Sequence, residues 1–304
     1  MELTHPSIDP QSYEEDPSGV VVRTWSQIQS KYDVADRSVA TRGDPHQLVL
    51  LSPQYAIKVF QNTAEDVYSE LLVGDALNEL MENTGHALFS KTAGYIISKE
   101  LPPGMTLRPF SGSDEFGELF DLEPDCYIYV FIERVAMPFK SLPDEPRVNE
   151  NAFFELLLGI YYARRELCFV HYDIHEGNIM FDVSENATDH VYKLGGGKCL
   201  TIRSAITPKL IDFGKSVLDP EYAGQGTLEY KRFWNKSDVD HLASLFQERS
   251  NNGVAFGGFL EEVRRMYGDS RYATRLGSDH AANHKGVLNL ILSYFGDRIK
   301  DCVY

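Results

Sequence analysis

Two short polar stretches constrain this 304-residue chain more than any bulk property. The first, HYDIHEGNIM at residues 171–180, follows a strongly helical segment and leads into an apolar run. The second, LIDFG at 210–214, closes another apolar run and puts Asp212 34 positions after Asn178. The spacing predicts a helix over 149–167, a polar loop over 171–178 and short strands over 179–183 and 208–212. Residues 184–207 then form an insertion between two strands. Its Gly195-Gly196-Gly197 run predicts the turn of an exposed hairpin beside the polar loop.

Upstream, QLVLLSPQYAIKVF at 47–60 gives two β-rich segments separated by Ser52-Pro53, a hairpin signature that puts Lys58 in its second strand. Val67, Leu71, Leu72, Ala76, Leu77 and Leu80 recur at helical spacing, so 62–82 reads as an amphipathic helix with Thr63 as N-cap. Strands follow at 95–98 and 126–131, separated by a Pro- and Gly-bearing segment at 101–125. Prolines punctuate 138–146, and after 149–167 further helices are expected at 237–246, 258–267 and 287–295. The class is α+β: a small strand-rich lobe with one helix, then a mainly helical lobe.

The net charge of −16 counts against a general nucleic-acid binder, because affinity for a polyphosphate comes largely from Lys and Arg. No membrane span is expected: the best apolar stretch, 153–163, is broken by Glu155. The first 19 residues are acidic and proline-bearing, unlike a signal peptide, and read as a tail. Cys126, Cys168, Cys199 and Cys302 show no C-x-x-C pair, so neither a disulfide framework nor a zinc ribbon is expected. A reduced cytoplasmic protein is the default.

H-x-D-x-x-x-x-N followed by D-F-G, after an A-I-K strand, resembles the protein-kinase signature set. The resemblance implies a bilobal protein-kinase-like fold. Residues 1–29 would be an acidic tail or extension, 30–135 a β-rich N-lobe and 136–304 a helical C-lobe carrying the 184–207 insertion. It also implies ATP and Mg²⁺ as cofactors, because phosphoryl transfer asks for positioning and charge neutralisation. Asp173 would be the catalytic base, Asn178 and Asp212 would hold Mg²⁺, and Lys58 would fix the nucleotide phosphates. Glu70 is the carboxylate expected to pair with Lys58, with Glu65 and Glu79 as alternatives. The strand CYIYVFIERV is similar to the kinase hinge: the Glu133 carbonyl and Val135 amide would meet the adenine edge, and Ile132 would border the base. Asp238 would brace the catalytic loop beside His171.

The pattern also departs from that family. No G-x-G-x-x-G precedes Lys58; the region 34–45 has only Gly43, leaving Ser38, Thr41 and backbone amides to cover phosphates. His175 stands where conventional protein kinases have lysine, and D-x-H-x-G-N is similar to haspin-type kinases and aminoglycoside phosphotransferases. There His175 is expected to stabilise charge on the transferring phosphoryl group. The segment PKLIDFGKS resembles kinases of large DNA viruses, which would put the protein in the host cytoplasm or the virion. No A-P-E follows Gly214, and only 26 positions separate Asp212 from Asp238.

The expected activity is therefore ATP- and Mg²⁺-dependent phosphorylation of Ser or Thr in a protein substrate, with no nucleic-acid or membrane partner. The alternatives are a small-molecule phosphotransferase and a pseudokinase scaffold. A metal cluster of His171, Asp173 and His175 is set aside, because a lone H-x-D-x-H does not define a full ligand set and the kinase resemblance also accounts for Asn178 and Asp212. LGGGKC at 194–199 fails as a P-loop, since Tyr192 replaces its first glycine and Cys199 its Ser or Thr. Arg264, Arg265, Arg271 and Arg275 read as a solvated face.

Overall fold

The computed structural model describes residues 14–15, 21–34, 47–61, 65–107, 126–218, 238–267 and 280–302. Most of the tail, the loop bearing Ser38, Thr41 and Gly43, the Thr63 cap, Ser237, Arg271 and Arg275 lie outside them. The chain is α+β, with two sheets and six α-helices among the described residues. It divides into two compact units, 1–75 with 90–134 and 76–89 with 135–304.

In the first unit, six strands lie in the order β1-β2-β5-β6-β4-β3. These are β1 (Glu14–Glu15), β2 (Val21–Val22), β3 (Gln47–Leu51), β4 (Tyr55–Gln61), β5 (Thr92–Ser98) and β6 (Tyr127–Glu133). All neighbours are antiparallel except β2 with β5. Because alternate side chains leave opposite faces of a strand, the two faces carry different cores. Leu50, Ile57, Val59, Ile96, Tyr129 and Phe131 pack with Trp25 and Ile28 of helix α1 (Trp25–Tyr32). Phe60, Ile128, Val130 and Ile132 pack with Val67 and Leu71 of helix α2 (Glu65–Thr84).

Helix α1 begins within the segment expected to be tail, 1–29, and runs across its boundary with the expected N-lobe. Its signal is Thr24-x-x-Gln27, a capping box in which the Thr24 side chain accepts the Gln27 N–H and Gln27 reaches back to the Thr24 N–H. Trp25 and Ile28 then supply the apolar anchor.

The second unit is organised by helix α3 (Pro146–Leu167), which opens with Pro at its first turn, where a missing N–H costs nothing. Phe153 and Phe154 are fully buried against Phe246, Phe256 and Phe295. Those partners come from helices α4 (Asp238–Gln247), α5 (Val254–Tyr267) and α6 (His280–Phe295). Along its other side runs an antiparallel sheet, β10-β9-β8-β7, built from β7 (Met137–Pro138), β8 (Ile179–Gly195), β9 (Lys198–Leu210) and β10 (Lys300–Asp301).

The expected insertion is thus a continuation of the two strands into one long hairpin. Residues 183–189 are exposed and, apart from Val183 and Ala187, polar, so no apolar alternation marked them as strand. Gly195, Gly196 and Gly197 all take positive φ at its tip, the left-handed region that favours glycine. Yet Tyr192, Leu194, Leu200 and Ile202 are buried, and the Tyr162 hydroxyl donates to the Lys193 carbonyl at 2.7 Å. The distal hairpin is therefore part of the core rather than a removable surface loop.

One expectation is corrected outright. Cys199 and Cys302 form a disulfide with their Cα atoms 5.2 Å apart, joining β9 to the chain just after β10. A separation of 103 residues lies beyond any spacing rule, and only the β9–β10 register brings the two together. Cys126 and Cys168 take no part in a disulfide. No described helix is long and apolar enough to cross a membrane.

A buried polar cluster joins the hairpin to α3. The fully buried Glu155 accepts from the Tyr192 hydroxyl at 2.9 Å and pairs with Nδ1 of His190. His86 stacks on Tyr192, with ring centroids 4.3 Å apart. The hydrogen bond to Glu155 pushes the His190 pKa up, while burial, with His190 and Lys193 nearby, pulls His86 down to about 4. Opposite pH dependences follow. The His190 contribution to stability is complete below its unfolded pKa of about 6.5 and fades as pH rises through the higher folded value. The His86 contribution is present above about 6.5 and is lost as pH falls towards 4. A His86→Phe variant should keep the stacking and flatten the acid limb of a melting-temperature profile between pH 7 and 4. Parallel profiles for variant and wild type would refute this assignment.

Candidate functional site

Lys58 is the fourth residue of β4, on the same face as Phe60 and therefore towards α2. On α2, Glu70 borders the buried residues Val67 and Leu71. The Lys58 ammonium meets Glu70 Oε2 at 2.6 Å, and the two side chains are 11% and 0% exposed. Strand alternation and helical period thus bring the pair together within one unit. Such a pair is costly to break, because removing one partner strands a buried charge. Glu79 belongs to the other unit, in the half of α2 beyond Asp75, and the side chain of Glu65 lies outside the described residues.

At the end of β6, Ile132 and Val135 are buried and Glu133 is half-buried. The Glu133 N–H donates to the Lys91 carbonyl at 2.8 Å and the Arg134 N–H to the Gln54 carbonyl at 3.0 Å. These bonds fix the path along which the chain leaves the sheet.

In the second unit, α3 stops at Cys168, whose φ of 51° ends the helix in a left-handed cap. Val170 and Val217 then exchange both backbone hydrogen bonds at 3.0 Å, tying the polar loop to the segment after β9. His171 is fully buried. Its Nε2 lies 3.1 Å from the Ile211 carbonyl, and its Nδ1 accepts the Asp173 N–H at 3.3 Å. That pattern requires the neutral imidazole with its proton on Nε2, and burial pushes its pKa down accordingly. Asp238, at the start of α4, accepts from the backbone N–H groups of His171 at 3.0 Å and Tyr172 at 3.1 Å, and from Arg164 at 3.1 Å. Tyr172 sits at φ 62°, unusual for a bulky residue, and Asp238 holds it there.

The next residues form a compact turn. Asn178 donates its side-chain amide to the Asp173 carbonyl at 2.9 Å, so its oxygen is the end turned to other work. His175 accepts the Gly177 N–H at Nδ1, 3.0 Å away, and caps the 3-10 turn Glu176–Asn178. A Cβ at Gly177 would lie 2.9 Å from that imidazole, which explains why glycine follows two residues after histidine. The other ring nitrogen, Nε2, is 3.8 Å from Asp173 Oδ2.

Pairing of Ile179 with Leu210, and the Ile211 N–H bond to the Asn178 carbonyl at 3.0 Å, put Asn178 and Asp212 at the same end of the β8–β9 hairpin. Asp212 has φ 68°, a left-handed conformation that Asp tolerates better than most residues. Phe213 is fully buried against Phe89, Phe169 and His171. One carboxylate and one amide oxygen are hard donors, the set Mg²⁺ takes when substrate phosphates and water complete its shell. Among the described residues no cluster of three His, Cys, Asp or Glu could hold a metal alone. The donor set fits a cation delivered with a nucleotide better than a resident metal.

Sequence reasoning passed over Lys215. Its ammonium is 3.0 Å from Asp173 Oδ2, nearer than His175, and its position directly after D-F-G was the only signal. Arg164, buried beside Asp238, was also missed; nothing in the sequence of α3 sets it apart from its neighbour Arg165, which stays partly exposed.

No protein-family model matches the chain. A curated protein described as probable kinase 098L, from Invertebrate iridescent virus 3, is 28% identical in an alignment of length 166 that covers 50% of this chain and 30% of that protein. The chain thus aligns with less than a third of that relative's length. The similarity supports a kinase-like relationship for this chain, and its α+β architecture is compatible with one.

Proposed function

We propose that this chain is an ATP- and Mg²⁺-dependent phosphotransferase that phosphorylates Ser or Thr of proteins, its two units being the lobes of a bilobal protein-kinase-like fold. One observation carries the reading most: Asp173, Asn178 and Asp212 belong to a single hydrogen-bonded unit at one end of the β8–β9 hairpin. Asp173 is the group proposed to take the proton of the acceptor hydroxyl. Asn178 and Asp212 are proposed to hold Mg²⁺, which when bound neutralises phosphate charge. Lys58, kept extended by Glu70, is proposed to bind nucleotide phosphates, with Ile132, Glu133 and Val135 serving the base. His171 and Asp238 fix the loop, and His175 shapes it through its bond to Gly177.

Asp173 already has an ammonium partner in Lys215, and the adjacent Glu176 is paired with Lys140 at 2.8 Å. That balance favours an uncharged Ser or Thr hydroxyl over a cationic metabolite, which calls for unpaired carboxylates. The test is transfer of labelled phosphate from ATP to a peptide array and to a metabolite panel, with Asp173→Asn as control. Transfer to metabolites alone would replace the protein substrate, and transfer by the control would remove Asp173 as base.

Lys58→Met should lower kcat by about 10²-fold, since an apolar chain of similar length no longer positions phosphates. Glu70→Gln should lower it less, because the amide still accepts a hydrogen bond from Lys58. Equal losses in both variants, measured by steady-state kinetics, would show that the charge on Glu70 does more than orient its partner.

A further inference from the structure

We propose that Lys215 is a positioning residue for Asp173: it occupies one carboxylate oxygen and so leaves the other to receive the acceptor proton. The inference rests on the phosphotransferase reading above and deepens it. Lys215 is held in place from both sides. Phe213 anchors the preceding turn in the core, the Ser216 N–H donates to the Phe213 carbonyl at 2.9 Å, and the Ser216 hydroxyl donates to the His171 carbonyl at 3.2 Å. Val217 is paired with Val170. The backbone of Lys215 is therefore fixed, while its side chain is half exposed and its ammonium lies 3.0 Å from Asp173 Oδ2.

On the other side of Asp173, its own carbonyl is held by Asn178 and its own N–H by His171. Backbone position is thus set by two hydrogen bonds, but neither controls the torsion of the carboxylate. Lys215 is the described cation close enough to do so, at 3.0 Å against 3.8 Å for His175 Nε2. His175 is also committed through Nδ1 to Gly177. In the transfer step the acceptor oxygen bonds to the γ-phosphorus and the bond from that phosphorus to the bridging oxygen breaks. The electron pair leaves with ADP, and the hydroxyl proton passes to Asp173 Oδ1. A carboxylate free to rotate would present this oxygen in only part of its orientations, and loss of such orientation reads out in turnover rather than in nucleotide binding.

The experiment compares wild type, Lys215→Met, Lys215→Gln, Lys215→Arg and Asp173→Asn, using labelled ATP and a Ser/Thr peptide array, with ATP affinity measured separately by calorimetry. Lys215→Met and Lys215→Gln should lower kcat by about 10- to 100-fold while the ATP Kd stays within about twofold. Lys215→Arg, which keeps a cation, should recover most of the loss, and the melting temperatures should agree because an exposed pair contributes little to stability. If Asp173→Asn is inactive but Lys215→Met and Lys215→Gln turn over like wild type, the role of Lys215 is overturned and the base assignment stands. A weaker ATP Kd with unchanged kcat would make Lys215 a nucleotide-binding group and overturn the proposal. Transfer by Asp173→Asn at the wild-type rate, or none by the wild type, would overturn the underlying reading and with it the role of Lys215.

Discussion

Asp212→Asn is expected to reduce phosphoryl transfer by about 10³-fold or more, the scale on which loss of one preorganised charge-stabilising group acts. The substitution is a clean one. Asn has the size of Asp and accepts the left-handed conformation, φ 68°, that this position requires. Phe213 remains buried and the Val170–Val217 pairing is untouched, so the turn that presents residue 212 should persist. What changes is one negative charge at the end of the β8–β9 hairpin where Asn178 also lies. A neutral amide binds Mg²⁺ far less strongly than a carboxylate, so under the proposed function a cation brought in with the nucleotide would find only weak donors. The melting temperature should move by no more than about 3 °C, since the side chain is only partly buried and the substitution keeps its size. Turnover near the wild-type rate, at saturating Mg²⁺ and ATP, would remove Asp212 from the metal assignment. A large fall in melting temperature would instead give the residue a structural role.

How much of this arrangement is legible in the sequence depends on the range of the physics involved. Lys58 and Glu70 are 12 residues apart, and their meeting needs only a two-residue strand period and a helical period, both visible as apolar patterns. The hydrogen-bonded turn from Asp173 to Asn178 is shorter still, and Gly177 shows in the sequence why His175 can fold back over it. The distal hairpin was not legible as strand because its pairing uses backbone groups while 183–189 face water. Its buried end, Tyr192, Leu194, Leu200 and Ile202, is interrupted by Lys193, the glycine turn and Thr201, and the Tyr192 hydroxyl is satisfied by a glutamate on a distant helix. The Cys199–Cys302 bond depends on β10, a strand of two residues that no periodicity can announce. Lys215 was invisible for another reason. Spacing says where a residue lies along the chain, whereas its role here depends on where a side chain points after a turn anchored by Phe213.

Asp238→Ala should be among the most damaging changes to stability, costing about 3–5 kcal/mol, because it breaks a buried charged pair by removing one partner. Asp238 is 1% exposed and Arg164 7%. The guanidinium keeps Nε and Nη1 buried without a hydrogen-bond partner among the described residues, so its charge depends on the one carboxylate it touches. The same carboxylate accepts two backbone N–H groups, from His171 and Tyr172, and holds Tyr172 at φ 62°. Alanine would leave a buried cation, two orphaned donors and a left-handed aromatic residue with nothing to hold it there. A fall of the melting temperature on the order of 10 °C is expected. Asp238→Asn should lose less, since its oxygen still accepts one N–H, although its amide then opposes the other donor. Arg164→Met removes the cation itself. Combined with Asp238→Ala it should cost less than the sum of the two single changes, because the double variant no longer carries an unpaired buried charge. If the two single losses simply add in the double variant, the carboxylate is stabilising the loop through its backbone bonds alone, and Arg164 is held by other contacts.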